Sequence, residues 1–366
     1  MAAAALPTMA GMKAAIFKSI GSPLVVEQVL EPVLGTGEVI VDVVAARVLA
    51  YAGEVFSGER KFLLEPPVIP GAGGVGRVRA CGPDAASLAA GDWVLCDPMV
   101  RSRDNLLAPT IVLQGLTAAD ENGRGLQAWV RDGTWAEQVR VPTENAIALG
   151  AINAADAAAW CALSFCLVPY GGWLASGLQP GETVVAHGAT GGFGSAGVAV
   201  ALAMGAGRVV ATGRNRNALD DLVRRFGPRV QPAAMTGDEH EDRRRIVDAA
   251  AAPIDRVLDL LPPAATAAQV QAALLAVRPH GSVVLMGGVE KDLQLPYRWL
   301  MRHGVSLRGQ WMYRRESVVR LIGLVRAGLL RLEEFETTSF GLDDVNRAVA
   351  HAAAHAGPFK STVLMT

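Results

Sequence analysis

Residues 183–194 read TVVAHGATGGFG, a β-type run of apolar residues followed directly by a turn rich in glycine. Glycine permits a tight turn and lets the backbone approach a pyrophosphate, and the N–H groups at the start of a following helix bind phosphate oxygens. The pattern therefore predicts a dinucleotide-binding turn, and the alternative is an ordinary strand-to-helix turn. The residues predicted to contact the dinucleotide in this turn are Gly188, Ala189, Thr190, Gly191, Gly192, Phe193 and Gly194.

The sequence around this turn alternates between short apolar strands and alanine-rich helical patterns. The predicted strands cover 183–187, 208–212, 256–260 and 281–286, and the predicted helices cover 196–204, 219–226 and 265–277. Strand and helix in regular alternation form a parallel sheet with crossover helices. We therefore predict an α/β fold in which residues 161–310 form a doubly wound parallel sheet.

The end of the second strand indicates which nicotinamide dinucleotide binds. Residues 211–216 read ATGRNR, so glycine stands where an NAD site usually has an acid for the ribose hydroxyls. Arginine binds a 2′-phosphate, whereas an acid repels it. We predict NADP, bound through Gly213, Arg214, Asn215 and Arg216, and the alternative is that the two arginines are only solvated. Later strand ends line the same crevice. They add Leu260, Gly287, Gly288 and Val289.

The first part of the chain has a different texture. Predicted strands at 39–44 and 75–80 are separated by glycine and proline, which indicates a β-rich, barrel-like domain. The polar stretch 100–125 is predicted to be a long loop.

The chain after residue 310 is predicted to return to the β-rich domain. Its elements are two helices, near 316–328 and 342–355, and a closing strand near 361–365. The predicted domains are 12–160 with 311–366, and 161–310; residues 1–11 are predicted to be a disordered arm.

The composition argues against several classes of function. The net charge is −1, and acids balance the densest basic run, 243–245, so no nucleic-acid partner is predicted. No charge-free apolar stretch of about 20 residues suggests a membrane span. The four cysteines form no CxxC pair, and residues 1–11 lack the features of a signal peptide. We therefore predict a cytoplasmic protein that acts on a small molecule.

Several short motifs give the chain a resemblance to the medium-chain dehydrogenase/reductase superfamily, especially its zinc-free, quinone-reductase-like members. Besides the glycine-rich turn they are KAA at 13–15, GEV at 37–39, PG at 70–71, GVG at 74–76, GDWV at 91–94, GTWAE at 133–137 and GLQPGE at 177–182. The resemblance covers 12–366. It implies a GroES-like catalytic domain, a Rossmann domain and a homodimer that pairs through the strand at 305–309.

The sequence departs from the zinc-containing relatives at their ligand positions. Where those relatives carry a Cys-His pair it has Leu49 and Ala50, and where they carry Gly-His-Glu it has GAG at 71–73. The stretch 100–125, which matches their four-cysteine lobe, contains no cysteine. Zinc requires thiolate, imidazole or carboxylate ligands. We therefore predict that no metal is bound.

Without zinc, the proton must come from elsewhere. The resemblance places Tyr51 at the position of the hydroxyl residue that relays protons in zinc relatives, where its phenol could act as an acid. Glu54 lies three residues on, and would share a face with Tyr51 in a helix and feed a relay. The alternatives are that Tyr51 is only a wall of the substrate pocket and that Glu54 is solvated.

Three functions follow from these features. The first is zinc-independent, NADPH-dependent hydride transfer to a quinone, an enone or an enoyl-type double bond, because these acceptors give stabilised anions. The second is an NADP-dependent alcohol or carbonyl dehydrogenase in which Tyr51 replaces zinc, since a simple ketone gives an alkoxide that zinc normally stabilises. The third is a non-catalytic NADPH-binding protein.

Overall fold

The computed structural model describes residues 11–105 and 107–366, which divide into two units. The first unit consists of the described residues up to Ala162 together with Phe335–His355 and Ser361–Thr366. The second unit consists of Leu163–Glu334 and Ala356–Lys360. The predicted N-terminal arm lies outside the described residues, except for Gly11, which begins the first strand.

The described residues form strands in both units. In chain order they are β1 (Gly11–Ile16), β2 (Val25–Leu30), β3 (Glu38–Val48), β4 (Gly74–Cys81), β5 (Trp93–Cys96), β6 (Met99–Arg101), β7 (Ile111–Leu113), β8 (Thr117–Ala118), β9 (Gln138–Pro142), β10 (Ala146–Ala148), β11 (Thr183–His187), β12 (Arg208–Gly213), β13 (Val230–Ala234), β14 (Ile254–Asp259), β15 (Val277–Leu285), β16 (Ser306–Gly309), β17 (Glu336–Gly341) and β18 (Lys360–Met365).

Helices connect most of these strands. They are α1 (Ala52–Ser57), α2 (Arg124–Trp129), α3 (Ala157–Trp160), α4 (Leu163–Ser176), α5 (Gly192–Ala203), α6 (Arg216–Phe226), α7 (Glu239–Ala250), α8 (Ala267–Leu274), α9 (Tyr297–His303), α10 (Arg315–Arg326) and α11 (Val345–Ala354).

The second unit is built on a parallel sheet with the strand order β13-β12-β11-β14-β15-β16. Numbered within the unit, this order is 3-2-1-4-5-6, that of the Rossmann doubly wound sheet predicted from the sequence. The order reverses between β11 and β14, where chain connections leave the sheet in opposite directions. Ligands of such sheets bind outside the carboxyl ends of the strands at this point.

The core on one face of this sheet is packed by α7 and α8. Val185, Val257 and Val283 stand on that face and meet Ile246 from α7 and Leu274 from α8, all of them fully or almost fully buried. Because side chains alternate along a strand, His187 and Asp259 point to the same side as Val185 and Val257.

The boundary between the units differs from the predicted one after residue 310. Residues 311–334 belong to the second unit, because α10 buries Val318, Leu321 and Ile322 and packs on α4. The segment before α10 also lies against α4, because a Cβ on Gly171 of α4 would lie 2.7 Å from the Cβ of Tyr313.

The first unit is built on a sheet with the order β10-β5-β4-β3-β18-β17, in which β3 pairs antiparallel with β4, β9 and β18. The C-terminal strand β18 therefore lies inside the sheet, where Val363 and Leu364 are completely buried. The predicted β-rich domain is present.

The predicted long loop over 100–125 is wrong. This stretch contains the antiparallel strands β7 and β8, with β6 overlapping its start, and the first residues of α2. Val100, Val112, Ala118 and Val130 pack together into a small core of their own. The apolar run Ile111–Leu113 is only three residues long and is followed by Gln114 and Gly115, so it is too short to show a strand period in the sequence.

Within the two described ranges, no single helix is long and apolar enough to cross a membrane. By length and composition alone, the bent pair Ala154–Trp160 and Leu163–Ser176 meets the same test.

Candidate functional site

The glycine-rich turn lies between β11 and α5 in the second unit. Gly188 has a φ of +88°, and Gly191 is the N-cap of α5 without any side-chain cap, so the first N–H groups of the helix stay available. A Cβ on Gly194 would lie 2.8 Å from the Cα of Ala189, so only glycine lets the helix close onto the turn. This is a cradle of the kind that a dinucleotide pyrophosphate requires.

A buried hydrogen-bond network holds this turn. The Nε2–H of His187 donates to the Gln269 carbonyl (2.9 Å), so Nδ1 accepts from the Thr212 hydroxyl (2.7 Å), whose oxygen accepts from Gly188 N–H (3.1 Å). Burial lowers the pKa of His187 to about 4, despite the opposing effects of the Gln269 carbonyl and Asp242. The ring is therefore neutral, as this network requires.

The end of β12 brings the predicted specificity residues beside the turn. Gly213 packs against Thr190, and Arg214 and Arg216 are exposed. Within the described chain neither arginine forms an ion pair, so both guanidinium groups are open to an anion. Asn215 is the N-cap of α6, and its side chain accepts from Ala218 N–H (3.2 Å), which assigns it a structural contact.

The ends of β14 and β15 complete this edge of the sheet. Leu260 N–H donates to the His187 carbonyl (3.0 Å), which ties the two strands at the point where their order reverses. Gly287 and Gly288 are exposed, and Val289 is half-buried. A Cβ on Gly287 would lie 2.6 Å from the Leu261 carbonyl oxygen and 2.8 Å from Asp259 Oδ2. All the predicted cofactor residues thus lie at the carboxyl ends of β11, β12, β14 and β15, and the residues present fit a nicotinamide dinucleotide.

Asp259 is a buried carboxyl group at this edge, to which the sequence analysis assigned no role beyond its place at a strand end. Its side chain is 3% exposed, and its Oδ1 has no hydrogen-bond partner among the described residues. Burial raises its pKa to about 7, although the Leu261 N–H favours the charged form. A carboxyl group that changes charge near neutral pH therefore lies beneath Gly287.

Tyr51 lies in the first unit, at the N-cap of α1. Burial raises the pKa of its phenol, while Arg47 and Arg60 oppose this shift and Glu54 adds to it. The Arg60 guanidinium lies 4.3 Å from the centre of the tyrosine ring, and Phe62 meets the ring edge-on at 6.0 Å. The phenol is therefore protonated at neutral pH and is held in a fixed orientation.

Glu54 does not contact the phenol by a hydrogen bond in the described structure. Its carboxylate instead accepts from Arg60, with Nε to Oε2 at 3.0 Å, and its side chain is 45% exposed. The structure therefore joins Tyr51 and Glu54 through Arg60, a residue that the sequence analysis did not identify because nine positions separate it from Tyr51.

The positions that match zinc ligands carry no ligating side chains. Leu49 is buried, and among the described residues no three His, Cys, Asp or Glu side chains lie close enough to hold a metal ion. Cys96 and Cys161 are both buried, and burial raises the pKa of each thiol to about 12. Cys161 donates to the Ala45 carbonyl (3.4 Å).

Two family models match the chain, one in each part. The model described as "Alcohol dehydrogenase GroES-like domain" matches residues 35–151, and the model described as "Zinc-binding dehydrogenase" matches residues 192–327. These matches confirm the predicted fold class.

Individual proteins match over nearly the whole length. An alcohol dehydrogenase of Geobacillus stearothermophilus is 25% identical, with 87% of this chain and 90% of that protein covered. Among solved structures, an Escherichia coli CFT073 alcohol dehydrogenase complexed with NADH has a TM-score of 0.80 at 17% identity, covering 97% and 99% of the chains. A structure described as a zinc-binding dehydrogenase of Sinorhizobium meliloti 1021 bound to NADP has a TM-score of 0.77 at 20% identity, covering 98% and 100%.

Proposed function

The chain belongs to the medium-chain dehydrogenase/reductase superfamily and is an oxidoreductase, and from this we propose that it is a zinc-independent, NADPH-dependent reductase of quinones, enones or enoyl-type double bonds. The observation that carries the proposal is the loss of ligating side chains at the zinc positions together with a retained nucleotide cradle. The second unit binds the cofactor and the first supplies the substrate pocket. We do not propose the third function, a non-catalytic NADPH-binding protein, because the chain matches dehydrogenases.

Zinc independence rests on the chemistry of the donor set. Leu49 and Ala50 offer a metal only hydrocarbon, and residues 71–73 have no polar side chain. Cys96 and Cys161 are two buried thiols, whereas a catalytic zinc site takes three ligands from the protein.

The preference for NADPH rests on the end of β12. Gly213 contributes no acid to repel a 2′-phosphate, and the exposed Arg214 and Arg216 offer two guanidinium groups without competing ion pairs in the described chain.

The proposed chemistry divides between the cofactor and Tyr51. NADPH, when bound, supplies a hydride to the electron-poor carbon of the acceptor. The acceptor then carries an enolate or hydroquinone oxygen, whose charge is delocalised and needs only a proton. The Tyr51 phenol donates that proton from Oη, because its raised pKa keeps it protonated and the cationic Arg47 and Arg60 stabilise the phenolate left behind.

A second candidate function is an NADP-dependent alcohol or carbonyl dehydrogenase in which Tyr51 replaces zinc. This candidate is supported by the similarity to a Geobacillus stearothermophilus protein that is named alcohol dehydrogenase. It is also supported by the positive charges of Arg47 and Arg60, which favour the Tyr51 phenolate that remains after proton donation. A saturated ketone separates the two functions, since its alkoxide is not delocalised and places the full demand on the acid.

The test is NADPH oxidation after chelator treatment with a quinone, an enone and a saturated ketone, for the wild type and Tyr51→Phe. Chelator-resistant turnover of the quinone or enone with an inert ketone supports the first function. Turnover of the ketone that Tyr51→Phe abolishes supports the second. Loss of all activity on chelation, restored by zinc, would falsify zinc independence.

We also propose a cytoplasmic homodimer. The strand β16, Ser306–Gly309, pairs with β15 and is the last strand of its sheet, so its outer edge is available to a second copy. Sedimentation equilibrium decides this: a mass near 38.3 kDa at all concentrations contradicts the dimer.

A further inference from the structure

Gly213 has no room for a side chain because of Thr190. A Cβ on Gly213 would lie 2.6 Å from Thr190 Oγ1 and 3.0 Å from Thr190 Cβ, with Thr190 Cγ2 closer still. Such distances are well inside van der Waals contact. The absence of an acid at the end of β12 is therefore enforced by a residue of the glycine-rich turn, 23 positions earlier in the chain.

Rotation of Thr190 cannot remove this conflict. Both γ atoms already face Gly213, so only the hydrogen on Cβ points away from it. Side chains occupy staggered rotamers, and each 120° rotation moves one γ atom away while leaving another in its place. The Cβ itself, which does not move on rotation, is also at 3.0 Å. Thr190 thus occupies the space that the acid of an NAD site would need.

The hydroxyl of Thr190 is available for a ligand. Thr190 is half-buried, and no group in the described ranges forms a hydrogen bond with its Oγ1. That oxygen lies beside Gly213, directly before the exposed Arg214. We propose that Thr190 determines cofactor specificity in two ways: it excludes an acid at position 213, and it donates its hydroxyl to the 2′-phosphate. This inference rests on the proposed NADPH dependence.

The steric part of the proposal predicts that substitutions at positions 190 and 213 have coupled effects on the Tm, which can be measured without cofactor. In the apo protein, Gly213→Ala lowers the Tm by roughly 3–8 °C, because the new Cβ overpacks against Thr190. In a Thr190→Ala background the same substitution costs much less, since the γ atoms are gone. The matched control is Gly341→Ala at the end of β17, where a Cβ meets nothing within 4 Å, and its Tm stays close to the wild type. An equal cost of Gly213→Ala in both backgrounds overturns the steric half.

The ligand half is measured by titrating NADPH and NADH calorimetrically. Thr190→Val keeps the shape and removes the hydroxyl, so the Kd for NADPH rises roughly tenfold and the Kd for NADH does not change. Thr190→Ser retains the hydroxyl and restores NADPH binding. An equal change for both cofactors in Thr190→Val overturns this half.

Variants with an aspartate at position 213 test the steric part and the ligand-binding part of the proposal together. Gly213→Asp alone displaces the turn and weakens both cofactors, whereas Thr190→Ala with Gly213→Asp binds NADH better than NADPH. Gly213→Asp alone switching the preference cleanly would contradict the proposed role of Thr190. A wild type that prefers NADH would instead overturn the NADPH dependence, and the apo Tm cycle would still report on the steric coupling.

Discussion

His187 is the buried side chain that links β11, β12 and α8 behind the glycine-rich turn. Both ring nitrogens are used, Nε2 as donor and Nδ1 as acceptor, so a proton on Nδ1 would face the Thr212 oxygen as a second donor and break the network. Burial is the main cause of the low pKa of His187, and the Gln269 carbonyl and Asp242 oppose it. The consequence is that the folded state loses stability at acidic pH.

We expect the protein to lose stability as the pH falls from about 6.5 to about 4 because of His187. The unfolded histidine takes up a proton near pH 6.5, whereas the folded one does so only near pH 4, so the unfolded state gains protons first. The contribution is complete above about pH 6.5 and amounts to about 3 kcal/mol. Urea unfolding at several pH values, compared between the wild type and His187→Asn, measures it.

Asp259 also titrates in this pH range, so the effect of His187 must be measured as a difference between the wild type and His187→Asn. Its folded pKa is raised to about 7, so ionisation penalises the folded state and this group adds stability as the pH falls through 7. It opposes His187 in the same window but is present in both proteins, so it cancels in the difference. Identical pH slopes for the wild type and His187→Asn would show that His187 does not titrate as described.

The two arginines after Gly213 carry a prediction about binding. Replacing Arg214 and Arg216 together with alanine weakens NADPH much more than NADH, each charged contact being worth about 1.5–3 kcal/mol. Calorimetric titration with both cofactors measures the difference. Arg224→Ala is the control, because this exposed arginine of α6 pairs with Asp221 away from the turn. An equal loss for both cofactors argues against a 2′-phosphate contact.

At the scale of the element, helix α5 depends on Gly194. Gly194→Ala brings a Cβ to within 2.8 Å of the Ala189 Cα, so either the helix or the turn must move. We expect a loss of about 1–3 kcal/mol in the free energy of unfolding, together with weaker NADPH binding. Denaturant titration and calorimetry test the two effects separately.

The control is the same substitution in another helix. Gly323 lies in α10, is exposed, and leaves open space around a new Cβ. Gly323→Ala should therefore gain about 0.5–1 kcal/mol through helix propensity and leave NADPH binding unchanged. Equal effects at both sites would mean that the turn does not constrain α5.

The elements of the second unit could be predicted because their signals are local. A strand buried on both faces is a short apolar run, and β11 matches the predicted 183–187 completely. The glycines and arginines of the cofactor edge likewise lie within a few residues of strand ends. The strands β7 and β8 were missed because they are only three and two residues long, and Val112 and Ala118 find their packing partners only in the folded core.

The surroundings of the candidate acid could not be predicted for the same reason. Arg60 reaches the Tyr51 ring only because the chain turns after α1, and nothing in the spacing indicates that contact. The Thr190–Gly213 contact and the Gln269 carbonyl on His187 also join residues far apart in sequence. Local patterns predict elements and motifs, whereas contacts between elements require the fold.

At the scale of the whole molecule, the chain passes repeatedly between the two units. It leaves the first unit after Ala162, returns at Phe335, and returns again at Ser361 after a short passage through the second. The predicted boundary at 310 differs from the unit boundary at Glu334, because sequence resemblance does not show where α10 packs. The same path means that the last residues of the chain complete the sheet formed mainly by the first part.

The strand β18 gives this path a measurable consequence. It pairs with β3 inside the sheet, and Val363 is completely buried there, so Val363→Ala removes two methyl groups from a packed core and leaves a cavity. We expect the free energy of unfolding to fall by about 2–3 kcal/mol. Val319→Ala, at a position 61% exposed on α10, should change it by less than about 0.5 kcal/mol. Because Val363 belongs to the first unit, hydrogen exchange in Val363→Ala should accelerate in β3 and β4 and stay unchanged in β11 and β12. Equal acceleration in both sheets would show that the two units unfold together.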